Sequence, residues 1–367
     1  MVTKAVAKPA KAAKKPAEKN VSVAASPEKT VKKPRAPRKT PVPAVPVTSV
    51  APVLAVKAEL PPPVTRLPSS PPAALRIHQV FYRQDQVPYL DPAFIPFDNS
   101  NEGNPLLEFF VFNKIAKEEP QTTRLWGALS WKFTQKTGLK GADLVNTIKA
   151  NPGYDVYFCN PHPETESLHY NLWLQGETSH PHFLALAKEI FKSAGLDESL
   201  LLGVQPSALF ASTNYFVATR AFWVAYLEFI KKILRLADKG LTEPFKSMLL
   251  SSAADRKKVH AGANYLPFIV ERLFGTFLQT EGARFKAYKY RVAHDDSAND
   301  VNLRLLREMR DMALTQNSLW LAACWVNYRN LYFSHLHNPA WLQQYLRAIT
   351  PTKIHFSAMP AITVQQK

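Results

Sequence analysis

The residues of this chain that could do chemistry are spread thinly. His162, His169, His180 and His182 bring several imidazoles together, the side chains best suited to hold a transition metal near neutral pH. Their spacings of 7, 11 and 2 fit no common zinc ligand set and no cysteine joins them, so structural or surface histidines are expected. Cys159 and Cys324 lie far apart in apolar surroundings without a C-x-x-C pair, which reads as two inert core thiols in a reducing cytoplasm. Among the carboxylates, Glu271 stands four residues after Pro267 near the start of a helical pattern, Asp155 opens an apolar run, and Asp295-Asp296 follows the last strand-like segment. A carboxylate so placed can take a proton, or it can be a solvated side chain favoured by the helix dipole. No G-x-G-x-x-G, Walker A, G-x-S-x-G or H-E-x-x-H occurs, and the chain holds only 12 glycines. Dinucleotide oxidoreductases, P-loop enzymes and α/β-hydrolases are disfavoured.

The elements that must position these residues are organised around residues 209–234. Asn214 to Ala218 is short, aromatic and β-branched, as in a buried strand. From Ala221 apolar residues recur at helical spacing, with Thr219 as the cap. Strand feeding helix is the unit of an α/β sheet, whose ligands sit beyond the strand's carboxyl end, so this seam is a place to look for a site. Other strands are expected at Leu75–Tyr82, Leu125 onward and Tyr154–Cys159, with an edge strand at 283–292. Residues 83–104 have loop chemistry, and a loop of that length usually has a binding task. Helices are expected at 105–116, 141–150, 180–194, 265–279 and 299–336, followed by a short one with Trp341 and Tyr345. The span 237–263 has no clear assignment.

Charge divides the chain. Of its formal net charge of +17, residues 1–75 carry 14 Lys and Arg against 3 Glu, together with 15 of the 30 prolines and no aromatic residue or glycine. Such a segment cannot bury enough apolar surface to offset the entropy of ordering it, so a disordered tail over 1–74 is expected. Its lysines suit a screened attraction to nucleic acid, anionic lipid or an acidic partner, and its composition equally suits a solubilising linker. No apolar run has signal-peptide or membrane-spanning length, so a cytoplasmic protein is expected.

Asp98-Asn99-Ser100-Asn101, Glu108, Trp126-Gly127 with Ser130 and Lys132, Asn214 to Ala218, and Pro267-Phe-Ile-Val-Glu-Arg-Leu-Phe274 follow one another in an order that resembles the GT-A-like glycosyltransferases of bacterial capsule and exopolysaccharide loci. The resemblance covers about 75–292. It implies an α/β fold with a GT-A-like mixed sheet flanked by helices, extended by helices over 293–350 and a tail over 351–367. It further implies transfer of a sugar from a nucleotide-sugar donor to a glycan or lipid-linked acceptor in surface-polysaccharide assembly. The basic tail would then meet the anionic inner face of the membrane.

An inverting transferase needs a carboxylate to take the acceptor's proton and cations to hold the departing diphosphate. The resemblance makes Glu271 the base, with Arg272 beside it facing another way around the helix. It assigns donor binding to Tyr82, Arg83, Lys132, Asp155 and Asn160, and acceptor binding to Glu108, Trp126 and Asn214. Tyr82 would stack on a base, and Trp126, Trp131, Phe222 and Trp223 either line a sugar face or fill the core. No Asp-x-Asp occurs. Either Asp155, helped by Asn160, holds a divalent cation (Mn²⁺ or Mg²⁺), or Arg83 and Lys132 neutralise the diphosphate without a metal, the reading preferred. The rival readings are a non-catalytic nucleic-acid-associated or scaffold protein that binds through its basic tail, and a transferase-like domain without activity.

Overall fold

The computed structural model describes residues 74–100, 107–250, 264–295, 300–357 and 362–366. The tail expected over 1–74 therefore lies, apart from Ala74, outside the described residues, as do Asn101 and Asp296. The strands are β1 (Ala74–Phe81), β2 (Ile95–Asp98), β3 (Thr123–Ser130), β4 (Val156–Phe158), β5 (Phe216–Thr219), β6 (Lys286–Lys289) and β7 (Thr363–Gln366). They form one mixed sheet in the order β2-β1-β3-β5-β4-β6-β7. All neighbours run parallel except β5, which is antiparallel to both β3 and β4.

The helices that flank the sheet follow in chain order. The first five are α1 (Leu107–Glu118), α2 (Phe133–Thr137), α3 (Gly141–Ala150), α4 (Glu164–Leu168) and α5 (Leu172–Ser179). Then come α6 (Phe183–Ala194), α7 (Ser199–Leu202), α8 (Arg220–Gly240), α9 (Phe245–Leu250) and α10 (Tyr265–Thr280). The C-terminal pair is α11 (Val301–Thr315) and α12 (Leu319–Leu336). No helix among the described residues is long and apolar enough to cross a membrane.

Strand residues alternate between two cores because successive side chains leave opposite faces of a sheet. Val156, Phe158, Phe216 and Ala218 face a core built with α1, α6, α8 and α10. Tyr157, Cys159 and Val217 face a second core with Phe133 of α2 and Leu144 and Ile148 of α3. Helices on both faces explain why the central strands are apolar throughout. A third core joins Leu168 and Leu174 to Leu303, Leu306, Trp325 and Phe333 of the C-terminal helices.

Several expectations change at this level. Residues 83–100 are not one loop: a 3-10 turn at Gln84–Tyr89 leads into β2. β2 tolerates Pro96 because it is an edge strand, where a missing amide donor breaks no ladder. The strand expected as an edge, β6, is internal, because Thr363–Gln366 returns from the presumed tail to pair beside it. The helix expected from His180 starts at Phe183, after His182 in the left-handed region at φ 64°. Thr219 does cap α8, its hydroxyl accepting from the Phe222 amide at 3.3 Å.

Candidate functional site

The carboxyl ends of the parallel strands open on one rim, and the antiparallel β5 presents its start there. Tyr82 follows β1, Ser130 ends β3 with Lys132 two residues beyond it, Asn160 follows β4, and Asn214 and Tyr215 precede β5. The short helix α2 hangs over this rim, stopped by Gly138 at φ 67°, a conformation that glycine reaches without strain. A cleft of about 330 Å³ is bounded there by Lys132 and Lys136, by His162 and His180, and by Glu271 and Arg272.

Two carboxylates at this rim, Glu271 in the cleft and Glu108 behind it, act on each other electrostatically. Glu108, in the first turn of α1, accepts from Asn214 Nδ2 at 2.8 Å. Asn214, 3% exposed, has its Oδ1 in turn bonded by the Tyr226 hydroxyl at 3.3 Å. Burial raises the pKa of Glu108, offset by the Asn214 bond and the charge of Lys136. Glu271, whose side chain is 17% exposed, is pushed to about 7, first by burial and then by the charge of Glu108. Arg272 and Lys136 hold it below the value that burial alone would give. A carboxyl poised near neutrality can accept a proton at working pH and still release it.

The cations are set by local packing. Lys132 begins α2, its amide donating to Ser130 Oγ at 3.1 Å, and Ser130 Oγ also meets the Tyr215 hydroxyl at 3.1 Å. Burial, then Lys136, then Arg83 depress Lys132's pKa, because like charges nearby disfavour the ammonium. Lys136, one turn on, lies 5.8 Å from the Tyr215 ring centre and is the cation shared by Glu108 and Glu271. His180 stacks on Phe268 with ring centres 3.9 Å apart.

Of the residues assigned from sequence, Glu108, Lys132, Asn214 and Glu271 are brought to this rim, with Tyr82 beside them. Burial and the Glu108 charge raise the Tyr82 phenol, and its ring is packed against the core, lining a small pocket together with Glu108. Arg83 stays on the outer lip, 69% exposed and forked onto Asp85 at 3.0 and 2.8 Å. Asn160 is spent internally, donating to Glu166 at 3.0 Å and Thr165 at 3.1 Å and accepting from Ser212 Oγ at 2.8 Å. It shapes the wall rather than offering a free amide.

Two assignments are corrected. Asp155 precedes β4 and so lies at the opposite rim, where its carboxylate accepts from the Lys286 amide at 2.9 Å and its carbonyl from the Thr219 amide at 2.8 Å. It does not fit a metal ligand for this cleft, and no group of three or more His, Cys, Asp or Glu among the described residues is placed to hold one. Trp126 is 1% exposed, stacked on Trp223 with centroids 3.9 Å apart and planes 7° from parallel. It is core, as are Phe222 and Trp223, because the inward face of β3 is covered by α8.

The seam itself also moves. β5 is antiparallel, so its junction with α8 opens on the rim away from the cleft, while Ser212 and Thr213 before its start line the cleft and Asn214 is buried beside them. Arg272, expected to face away, lines the cleft and reaches Glu271 at 3.4 Å. It also bonds the Leu172 and Phe268 carbonyls at 3.1 and 2.9 Å and Gln175 at 2.8 Å. Sequence reasoning passed over Lys136 and weighed His180 only as one of a group of histidines, read as structural or surface. The spacing of Lys132 and Lys136 at i and i+4 was a visible sign that both belong to one helical face. Compared with protein-family models, with curated proteins and with solved structures, the chain matches none.

Proposed function

We propose that this chain transfers a sugar from a nucleotide diphosphate donor to a hydroxyl acceptor, with Glu271 as general base. The observation that supports this most is one carboxyl held near 7 in a cleft that also gathers Lys132 and Lys136. In an inverting transfer the acceptor oxygen forms the new bond to the anomeric carbon while its proton passes to Glu271. The bond to the diphosphate breaks with its electron pair leaving on the phosphate oxygen, and the ammonium groups of Lys132 and Lys136 meet that charge. Arg272, already engaged by two carbonyls and Gln175, steadies Glu271 instead of reaching for phosphate. Glu108 keeps the base's pKa high.

Full-length protein incubated with a panel of nucleotide sugars is expected to release nucleoside diphosphate from at least one donor. Glu271→Gln is expected to slow that release by about 10²–10⁴-fold while nucleotide still raises the melting temperature. Absence of both release and thermal shift with every donor, with or without Mn²⁺, overturns the reading. The excess of lysines in residues 1–75 supports a second reading, attachment to a polyanion such as nucleic acid. In that case deletion of 1–72 removes all binding and Glu271→Gln changes nothing.

A further inference from the structure

A second, larger cavity of about 620 Å³ opens between the ends of β4 and β6 and the inner side of α11. Its volume falls within the range of small-molecule sites, about 300–1,000 Å³. The floor is a closed network of charges. Lys289 Nζ donates to Glu166 Oε1 and to the Ser207 carbonyl, each at 2.7 Å. Arg307 reaches Glu166 at 3.8 Å and Asp295 at 3.7 Å. Asp311 accepts from the Ser207 amide at 3.0 Å and from its hydroxyl. Burial lowers the Lys289 pKa and the Glu166 charge works against that fall.

This chemistry differs from that of the cleft. Glu166, Asp295, Glu308 and Asp311 balance Lys289, Arg291 and Arg307 to within one charge, so the lining exerts little net attraction on an ion. Bringing a charged ligand in would also strip partners from a buried pair, which is costly. The cavity nonetheless offers many directional groups. Arg291, Gln316 and Gln366 on the rim bond no other described residue through their side chains, while Tyr290, Val292 and Met312 give an apolar surface. Amide and guanidinium donors, carboxylate acceptors and one aromatic ring together match a molecule with many hydroxyls, apolar C–H faces and no charge.

The cavity adjoins the cleft across residues 160–166, which line the one with Asn160, Pro163 and Glu166 and the other with His162, Glu164 and Thr165. Asn160 lines the cavity, yet it donates to Thr165 Oγ1 at 3.1 Å and accepts from Ser212 Oγ at 2.8 Å, both of which line the cleft. We infer that this second cavity binds a neutral saccharide, held against α11 and β6 next to the cleft. That it would be the acceptor of the transfer rests on the function proposed above; that it is a saccharide site does not.

The test is saturation-transfer NMR on the full chain with neutral mono- and disaccharides and no nucleotide present. At least one saccharide is expected to bind. Thr315→Trp, which fills the mouth from α11, is expected to weaken it roughly tenfold or more, with binding of a nucleoside diphosphate unchanged. Gln316→Ala, a surface change that should not disturb folding, is expected to weaken it several-fold. No binding by any neutral saccharide, or equal binding in the wild type and both variants, overturns the assignment. If saccharides bind and the variants lose them while no nucleotide sugar is ever consumed, the cavity stands and the transferase reading falls. If donor sugars are hydrolysed but no saccharide binds, the cavity assignment falls alone.

Discussion

Glu108 is closer to a positioning residue than to a ligand-binding one. Its charge helps hold Glu271 near 7, and its own position is fixed by the bond from Asn214, itself held by Tyr226. Glu108→Gln is therefore expected to lower the Glu271 pKa, moving the acid limb of a kcat/KM against pH profile toward the ordinary carboxylate range. A profile that keeps its midpoint would show that burial alone sets the base. The same shift links to stability. The folded chain keeps a proton on Glu271 between about 4.5 and about 7 that the unfolded chain has released, so stability falls as pH rises through that window. Glu271→Gln is expected to melt higher than the wild type at pH about 8, by on the order of 2 kcal/mol, with the gain gone below pH about 4. Thermal melts at the two pH values check this.

At the scale of elements, the direction of β5 decides which residues share the cleft. An antiparallel strand between β3 and β4 sends its start, with Asn214, to the rim where the parallel strands end, and its finish, with Thr219, to the other. Asp155 shares that far rim and is bonded to Lys286 and Thr219. The consequence is a clean separation of roles. Thr219→Ala is expected to cost about 1 kcal/mol through the lost cap on α8, and Asp155→Asn to leave donor turnover and its metal response unchanged. A large loss of turnover in Asp155→Asn at unchanged melting temperature would return Asp155 to the site. Lys136→Ala, in contrast, removes the cation common to both carboxylates from the half-buried end of the short helix α2 and should reduce turnover with little change in melting temperature.

Over the whole molecule, two buried guanidiniums join the C-terminal helices to the α/β body. Arg310 donates to the Glu166 and Gln205 carbonyls and lies 4.5 Å over the Phe210 ring. Arg329 donates to the Leu168 carbonyl and to Thr350 at 3.1 Å and sits 4.9 Å from the Phe333 ring. Both are fully buried, and burial lowers each to about 10, still charged at neutral pH. Among the described residues no carboxylate accepts from Arg329; carbonyl dipoles and ring faces hold its charge. Arg329→Ala would leave those carbonyls unpaired beside a cavity, with an expected loss of about 3 kcal/mol, seen as a melting temperature lower by roughly 6–12 °C. Because α11, which walls the second cavity, shares its core with α12, the same variant should weaken saccharide binding as that pair of helices loosens.

Local chemistry was enough to place most of the elements. The Pro-Gly stop before Tyr154, the helical period after Thr219 and the apolar run at 265–279 each act over a few residues, so their outcome can be read without knowing the partners. Glu271 and Lys132, which the fold brings to one cleft, could be singled out beforehand because a carboxylate after a proline-marked helix start and a lysine after a strand carry local signals. Strand direction was not legible. Whether β5 runs with or against its neighbours depends on long-range pairing, and that alone sent Asp155 to the far rim and Thr363–Gln366 back to cover β6. Burial was equally hidden: Trp126 is identical in sequence whether it faces a sugar or Trp223, and only the packing of α8 across β3 decides. The raised pKa of Glu271 belongs to this second class, since it arises from a carboxylate 163 positions earlier in the chain that the fold carries to its side.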